Sequence, residues 1–299
     1  MKKLLIAAAY LALLVSRASL AESDDASSPL RRVSVNGTTI AYVDEGRGTP
    51  VVFVHGAFSD HRVWESQRRA VASGYRFISL DQRYFGVAAW PDDGSKFSQA
   101  THVADLAAFI QQLNIAPAFV VGRSYGAGVG LALSVRHPEL VRGLFLNEPP
   151  VPSIVSDPAD QQIVNTERKT IAPIREAASA GNVSEAVKLF FDWVNAPGDF
   201  DALSPTVRAI YLDNARTVPL TLNAPPPAPF TCEQEGQIKV PVVITMGELT
   251  RPYFRVLAQA AHRCIQGSRL IVIPGVRHGA PTQNPAAFNE ALLTFLSAN

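Results

Sequence analysis

Residues 118 to 127 read Ala118-Phe119-Val120-Val121-Gly122-Arg123-Ser124-Tyr125-Gly126-Ala127, and small helix-forming residues continue to Val135. The first four are apolar, as in a strand buried on both faces. The residues after Gly126 have helical character. Between them, Gly122 to Gly126 follow G-x-S-x-G, the pattern of a sharp strand-to-helix turn. Side chains two residues from the serine would collide with the adjoining strand and helix, so both positions are glycine. The serine at the tip is held in strained backbone geometry. Such a turn lifts the Ser124 Oγ above the sheet. It also leaves the Tyr125 amide at a helix N-terminus, able to donate to a developing oxyanion. Five residues of this pattern recur by chance; the flanking strand and helix give it weight here.

Outward from this turn, short apolar runs recur at Val51 to Val54, Phe77 to Leu80, Leu144 to Leu146, Val240 to Met246 and Leu270 to Ile273. Helical segments separate most of them: Val63 to Ser73, Thr101 to Leu113, Gly126 to Arg136 and Phe254 to Arg263, with Pro285 to Leu296 last. Strands alternating with helices predict βαβ units and a mostly parallel sheet. Arg32 to Val35 and Thr38 to Val43 flank Asn36-Gly37, a hairpin signal. The alternation breaks between residues 149 and 230. Pro149-Pro150-Val151-Pro152 opens that region and Ala224-Pro225-Pro226-Pro227-Ala228-Pro229 closes it. Proline-rich hinges of this kind predict an insertion, with helices over Gln161 to Ala180, Ser184 to Asn195 and Ser204 to Thr217. Leu189, Phe190, Phe191 and Trp193 cluster on the middle one, either to pack the insertion onto the main body or to line a pocket.

The N-terminus has a basic start (Met1-Lys2-Lys3), an apolar run from Leu4 to Val15, and Ser19-Leu20-Ala21 before Glu22. That is the pattern of a secretory signal peptide cleaved after Ala21, with 22 to 31 a disordered lead-in. The expected destination is the periplasm or the exterior. Losing Lys2, Lys3 and Arg17 takes the formal charge of the 299-residue chain from +1 to −2. Near neutrality argues against nucleic acid or an anionic membrane surface as partner. No later run is long enough to span a bilayer, so no stable membrane insertion is expected after signal removal. Oligomeric state is not legible. Cys232 and Cys264 are the only cysteines; export would allow them to pair.

An activated serine needs a base, a group that orients the base, and oxyanion donors. Of six histidines, His278 stands out: it lies in a flexible loop, Pro274-Gly275-Val276-Arg277-His278-Gly279, after the last strand. Sites in open α/β sheets gather at that edge. His137 precedes Pro138 and reads as a helix cap; His61, His102 and His262 read as solvated faces. His55-Gly56-Ala57-Phe58 follows the strand Val51 to Val54, with His55 structural and the Ala57 amide a second oxyanion donor.

On these residues the chain resembles the α/β-hydrolase fold superfamily. It is similar to small serine esterases and cofactor-free perhydrolases, which share H-G, seven residues, then Trp: here His55-Gly56 and Trp64. The resemblance covers about residues 32 to 148 and 238 to 298. It implies an α/β-hydrolase fold: a mostly parallel central sheet flanked by helices, with a helical cap (149 to 230) inserted after strand 6 and a core of 32 to 148 and 231 to 299. It implies Ser124 as nucleophile, His278 as base, and the Ala57 and Tyr125 amides as oxyanion hole, with no metal or organic cofactor.

Three departures stand out. The family's Asp-x-Arg-Gly-x-Gly is Asp81-Gln82-Arg83-Tyr84-Phe85-Gly86, which puts Tyr84 near the site mouth as a narrowing residue. Arg123 replaces the histidine common before the nucleophile; pairing with a carboxylate is expected, binding of an anionic group being the alternative. The family's Gly-Glu-x-Asp reads Gly247-Glu248-Leu249-Thr250, and threonine cannot stabilise an imidazolium by charge. Glu148, ending the sixth strand as in some haloalkane dehalogenases, is the expected acid, with Glu248 the alternative. The expected function is cleavage of a hydrophobic carboxylic ester. Perhydrolysis, lactone, amide or carbon–carbon cleavage on the same residues, and a non-catalytic binding homologue, are the alternatives.

Overall fold

A computed structural model describes residues 29–299. The expected signal peptide (1 to 21) and the lead-in up to residue 28 lie outside the described residues. Eight strands form one sheet: β1 (Arg31–Val35), β2 (Thr38–Gly46), β3 (Pro50–Val54), β4 (Arg76–Leu80), β5 (Ala118–Arg123), β6 (Val141–Asn147), β7 (Val242–Gly247) and β8 (Arg269–Ile273). Their order is β1-β2-β4-β3-β5-β6-β7-β8. β2 runs antiparallel to β1 and β4, and the remaining neighbours are parallel. Asn36 and Gly37 join β1 to β2 with φ of 46° and 71°, the pair of positive values a two-residue hairpin turn requires.

Twelve helices accompany the described strands: α1 (Glu65–Ala72), α2 (Gln99–Gln112), α3 (Tyr125–Arg136), α4 (Pro158–Lys169), α5 (Ala172–Ser179), α6 (Val183–Val194), α7 (Pro205–Asp213), α8 (Val218–Asn223), α9 (Cys232–Gly236), α10 (Pro252–Cys264), α11 (Ala280–Gln283) and α12 (Pro285–Ser297). Helices α4 to α9 lie between β6 and β7. The single helix expected over Gln161 to Ala180 is two. Pro173 has no amide proton and disfavours helical geometry in the residue before it, so one helix stops at Lys169 and the next starts with proline in its first turn. β7 begins at Val242 rather than Val240, because Pro241 cannot donate to the ladder, although its carbonyl accepts from the Leu144 amide.

The period of two along each strand divides the core into two layers. Val52, Val54, Val120, Leu144, Leu146 and Ile244 face α2, α3 and α10. Val51, Phe53, Phe119, Val121, Phe145 and Val243 face α1 and α12, where Phe288, Leu292 and Phe295 fill the space. With both faces covered, the central strands are apolar throughout, which is why they were readable as unbroken runs.

Cys232 and Cys264 are joined in a disulfide that ties α9 to the end of α10. Beside this link Glu235 is fully buried, and neither carboxylate oxygen has a hydrogen-bond partner. Burial pushes its pKa up to about 8. A carboxyl raised in this way favours the fold while it is protonated in both states, below its ordinary value. That contribution is lost as pH rises through the folded value. Glu235→Gln is therefore expected to raise the thermal midpoint by a few degrees at pH 8.5 and to leave it unchanged near pH 4.5. Thermal melts at the two pH values measure this.

Candidate active site

The turn after β5 has the geometry its sequence requires. Ser124 has φ 49° and ψ −118°, a backbone state that costs a non-glycine residue about 1–3 kcal/mol. Close packing explains its glycines. A Cβ on Gly122 would lie 2.6 Å from the Ala127 Cα, and one on Gly126 would strike the carbonyls of Val54 and His55. Tyr125 opens α3, so its amide is among the unpaired donors of a helix N-terminus. Its hydroxyl bonds the Nδ1 of His102 at 2.6 Å, anchoring that first turn to α2.

Gly56 brings the β3 loop against the same turn. A Cβ there would lie 3.5 Å from the Ser124 Cβ and 3.3 Å from the Arg123 carbonyl oxygen. Ala57, the next residue, is half-buried. His55 is wholly buried. Its Nδ1 lies 2.8 Å from the Gly56 oxygen, and its Nε2 accepts from the Gln82 amide at 3.1 Å. Burial lowers its pKa, and the ring braces two loops as a neutral group.

The end of β6 gathers the other residues. The Asn147 carbonyl accepts the Ser124 amide at 2.8 Å, and its Nδ2 donates to the His278 carbonyl at 3.2 Å. Thr245 Oγ1 donates to the Asn147 Oδ1 at 3.0 Å, which orients that amide group. Glu148 follows with φ 47° and no exposed surface. Its Oε1 accepts from the Gly247 amide at 2.9 Å, and its Oε2 is hydrogen-bonded to the Nδ1 of His278. The His278 loop can approach because position 247 is glycine; a Cβ there would overlap the carbonyls of Val276 and Arg277. With Nδ1 donating to a carboxylate, Nε2 is left as the ring's acceptor. The Phe254 ring stacks on His278 with centroids 3.9 Å apart. Burial lowers the His278 pKa most, Glu148 opposes this, and the Arg123 cation adds to the lowering.

The two glutamates are thus in different places. Glu148 is on His278, whereas Glu248 is exposed and accepts from the Gly275 amide at 2.8 Å. Thr250 is buried, and its hydroxyl has no hydrogen-bond partner.

Other expectations are corrected. His102 is not on a solvated face: α2 turns it inward, between the Tyr125 hydroxyl and the Arg83 carbonyl, and burial takes its pKa down to about 3. His61 is paired with Asp81 at 2.6 Å, and half-buried His262 is bonded to Ser268 at 2.8 Å. Tyr84 has φ 74°, the region natural to the glycine it replaces. Its ring packs with Phe85, Trp90 and Phe97, and its hydroxyl bonds Asp92 at 2.8 Å, so it is turned into a satellite core. Arg123 has no carboxylate partner among the described residues; its Nη1 donates to the Tyr211 hydroxyl at 3.1 Å. The aromatic cluster of α6 is divided. Phe191 packs inward with Phe200 and Tyr211, Phe190 meets Phe58 beside Ala57, and Trp193 meets Phe254. The sequence reading missed Asn147 and Phe254. Asparagine directly before the strand-end glutamate was the available signal for the first; nothing local marks the second.

Among the described residues, Asp60, His61 and Asp81 bring three metal-ligating atoms within 4.8 Å of one another. Arg62 and Asn214 already bond Asp60, and His61 bonds Asp81, so a cation there would have to displace an arginine.

Comparison with known proteins gives the family. The model described as alpha/beta hydrolase fold matches residues 49–281. The chain is 31% identical to the 2-hydroxy-6-oxo-6-(2'-aminophenyl)hexa-2,4-dienoic acid hydrolase of Metapseudomonas resinovorans over 131 residues, 42% of this chain and 44% of that one. It is 30% identical to a haloalkane dehalogenase of Bradyrhizobium diazoefficiens over 176 residues, 58% of this chain and 52% of that one. The chain spans about half or less of the length of these curated relatives. Among solved structures, the bromoperoxidase of Bacillus anthracis superimposes with a TM-score of 0.74 at 24% identity, covering 90% of this chain and 100% of that one.

The two glutamates can be separated by experiment. Glu148→Gln is expected to lower kcat by about 10⁴, the loss seen when the acid of a Ser-His-Asp triad is made neutral, while Glu248→Gln keeps near-full activity. Since a base must be neutral to act, the acidic limb of the wild-type pH–rate profile is expected to have its midpoint below 6.5. In Glu148→Gln the midpoint moves lower still, because the group that raises the His278 pKa has lost its charge. Steady-state kinetics on both variants across pH 4.5 to 8 measure both outcomes.

Proposed function

The chain belongs to the alpha/beta hydrolase fold family, and we propose that it is an exported serine hydrolase that cleaves a carboxylic ester. One observation carries the reading: a buried glutamate bonded to the Nδ1 of a buried histidine, whose carbonyl and the Ser124 amide are both held by Asn147. In the proposed reaction His278 Nε2 takes the Ser124 proton as Oγ attacks the ester carbonyl. The Ala57 and Tyr125 amides hold the tetrahedral oxyanion, and Glu148 stabilises the imidazolium. The imidazolium then gives its proton to the departing alkoxide, which leaves as the alcohol. Water, deprotonated by His278, attacks the acyl-enzyme and releases the acid and free Ser124.

A hydroxyl nucleophile at position 124 supports acyl transfer through an ester-linked intermediate. Carbon–carbon cleavage is the second reading, favoured by the 31% identity to a relative named as a dienoic acid hydrolase. The Cys232–Cys264 disulfide supports an oxidising compartment, periplasmic or extracellular.

Ser124→Ala is expected to lose about 10⁴-fold or more in kcat toward short p-nitrophenyl esters, and with it labelling by a fluorophosphonate. Wild-type turnover in Ser124→Ala would sink the assignment, and an unlabelled wild-type protein would point to a binding homologue. The mature exported protein is expected to begin at Glu22, which N-terminal sequencing reads directly.

A further inference from the structure

Arg123 is 4% exposed, on the residue before the serine. Its Cγ lies 3.9 Å from the site a Cβ would take on Gly56, so the side chain passes beside the turn that leads to Ala57. The guanidinium reaches Tyr211 of α7, in the helical segment between β6 and β7, and its charge is felt at His278. The group therefore lies between the β3 loop, the histidine and α7, on the side of the sheet edge where Ser124 is presented.

A buried guanidinium is ordinarily paired with a carboxylate. This one has no ion pair among the described residues. Among the described residues its Nε has no hydrogen-bond partner, and its Nη1 donates to Tyr211, a neutral hydroxyl. Glu148 makes no ion pair with Arg123: its oxygens accept from the Gly247 amide and the His278 ring. The contrast with Arg83 is direct. That arginine is equally buried and takes both oxygens of Asp105, at 2.6 and 2.8 Å. The fold thus completes one buried arginine and leaves the other, next to the serine, with donors in hand.

We propose that Arg123 binds a carboxylate carried by the substrate, so that the enzyme acts on esters that retain a free carboxylate, such as monoesters of dicarboxylic acids. The inference rests on the serine hydrolase reading and narrows its substrate class. Planar, fixed donors suit a carboxylate, and water exclusion strengthens the contact.

The test compares monomethyl glutarate with methyl valerate, which lacks the charge. Wild type is expected to favour the anionic ester by roughly ten- to hundredfold in kcat/KM. In Arg123→Gln that ratio falls toward one, carried mainly by KM for the anionic ester, and Arg123→Lys recovers part of it. Binding is read separately on Ser124→Ala by calorimetry: monomethyl glutarate binds, methyl valerate binds more weakly, and adding Arg123→Gln removes the difference. If Arg123→Gln does not fold, Arg123→Met, of similar reach and without charge, takes its place. A wild-type enzyme that takes both esters equally overturns the proposal whatever the variants do, and leaves ester hydrolysis standing. Conversely, Arg123-dependent binding of monomethyl glutarate without turnover of either ester supports the anion site and overturns the hydrolase reading.

Discussion

Asn147 and Glu148, at the end of β6, hold the candidate site together. The Asn147 carbonyl takes the Ser124 amide, its side chain holds the His278 backbone, and the next residue places a carboxylate on the His278 ring. Two segments separated by more than 150 residues therefore meet on one dipeptide. The geometry costs backbone strain, since both Ser124 and Glu148 have positive φ. Such strain persists only where surroundings over-determine it. Here the β5–β6 and β6–β7 ladders and the Thr245 hydroxyl supply that constraint.

Polar burial among the described residues follows one pattern with informative exceptions. His55, His102, Arg83 and Asp105 are all buried, and each is hydrogen-bonded. The two histidines remain neutral because burial penalises their charged forms. They act as braces, fixing the β3 loop and the first turn of α3. Thr250, Glu235 and the Arg123 Nε lack partners. The threonine, being neutral, carries only the cost of one unmade hydrogen bond, about 1–3 kcal/mol. The glutamate avoids a buried charge by keeping its proton. Arginine cannot lose its proton, so at Arg123 the charge remains, met by the neutral Tyr211 hydroxyl and by no carboxylate among the described residues.

Helix α6 touches the candidate site at two points. Phe190 meets Phe58 edge-on at 4.7 Å, next to the Ala57 amide, and Trp193 meets Phe254, which stacks on His278. Arg251 lies over the Trp193 ring and bonds Glu167, which links this contact to α4. Small displacements of α6 would therefore be felt at both the β3 loop and His278, because aromatic contacts of this kind are packed rather than compliant.

The parallel sheet, the strand–serine–helix turn and the hairpin were legible in the chain, because each depends on neighbours within a few residues. Unbroken apolar runs follow from burial on both faces, glycines from close backbone approach, and Asn36-Gly37 from a two-residue turn. Glu148 was preferred to Glu248 only by resemblance, since both follow strands and either could reach a histidine at that edge. Only the pairing of β6 between β5 and β7, and the loop passing over Gly247, set one carboxylate on His278 and the other toward Gly275. His102 and Arg123 illustrate the same limit. One was expected in solvent and the other on a carboxylate, because sequence spacing records which face a side chain occupies but not what stands opposite. Local physics thus determined the elements and the serine's turn. The partners of each buried charge were decided by tertiary packing, because desolvation and hydrogen bonding act between residues that the chain brings together only when folded.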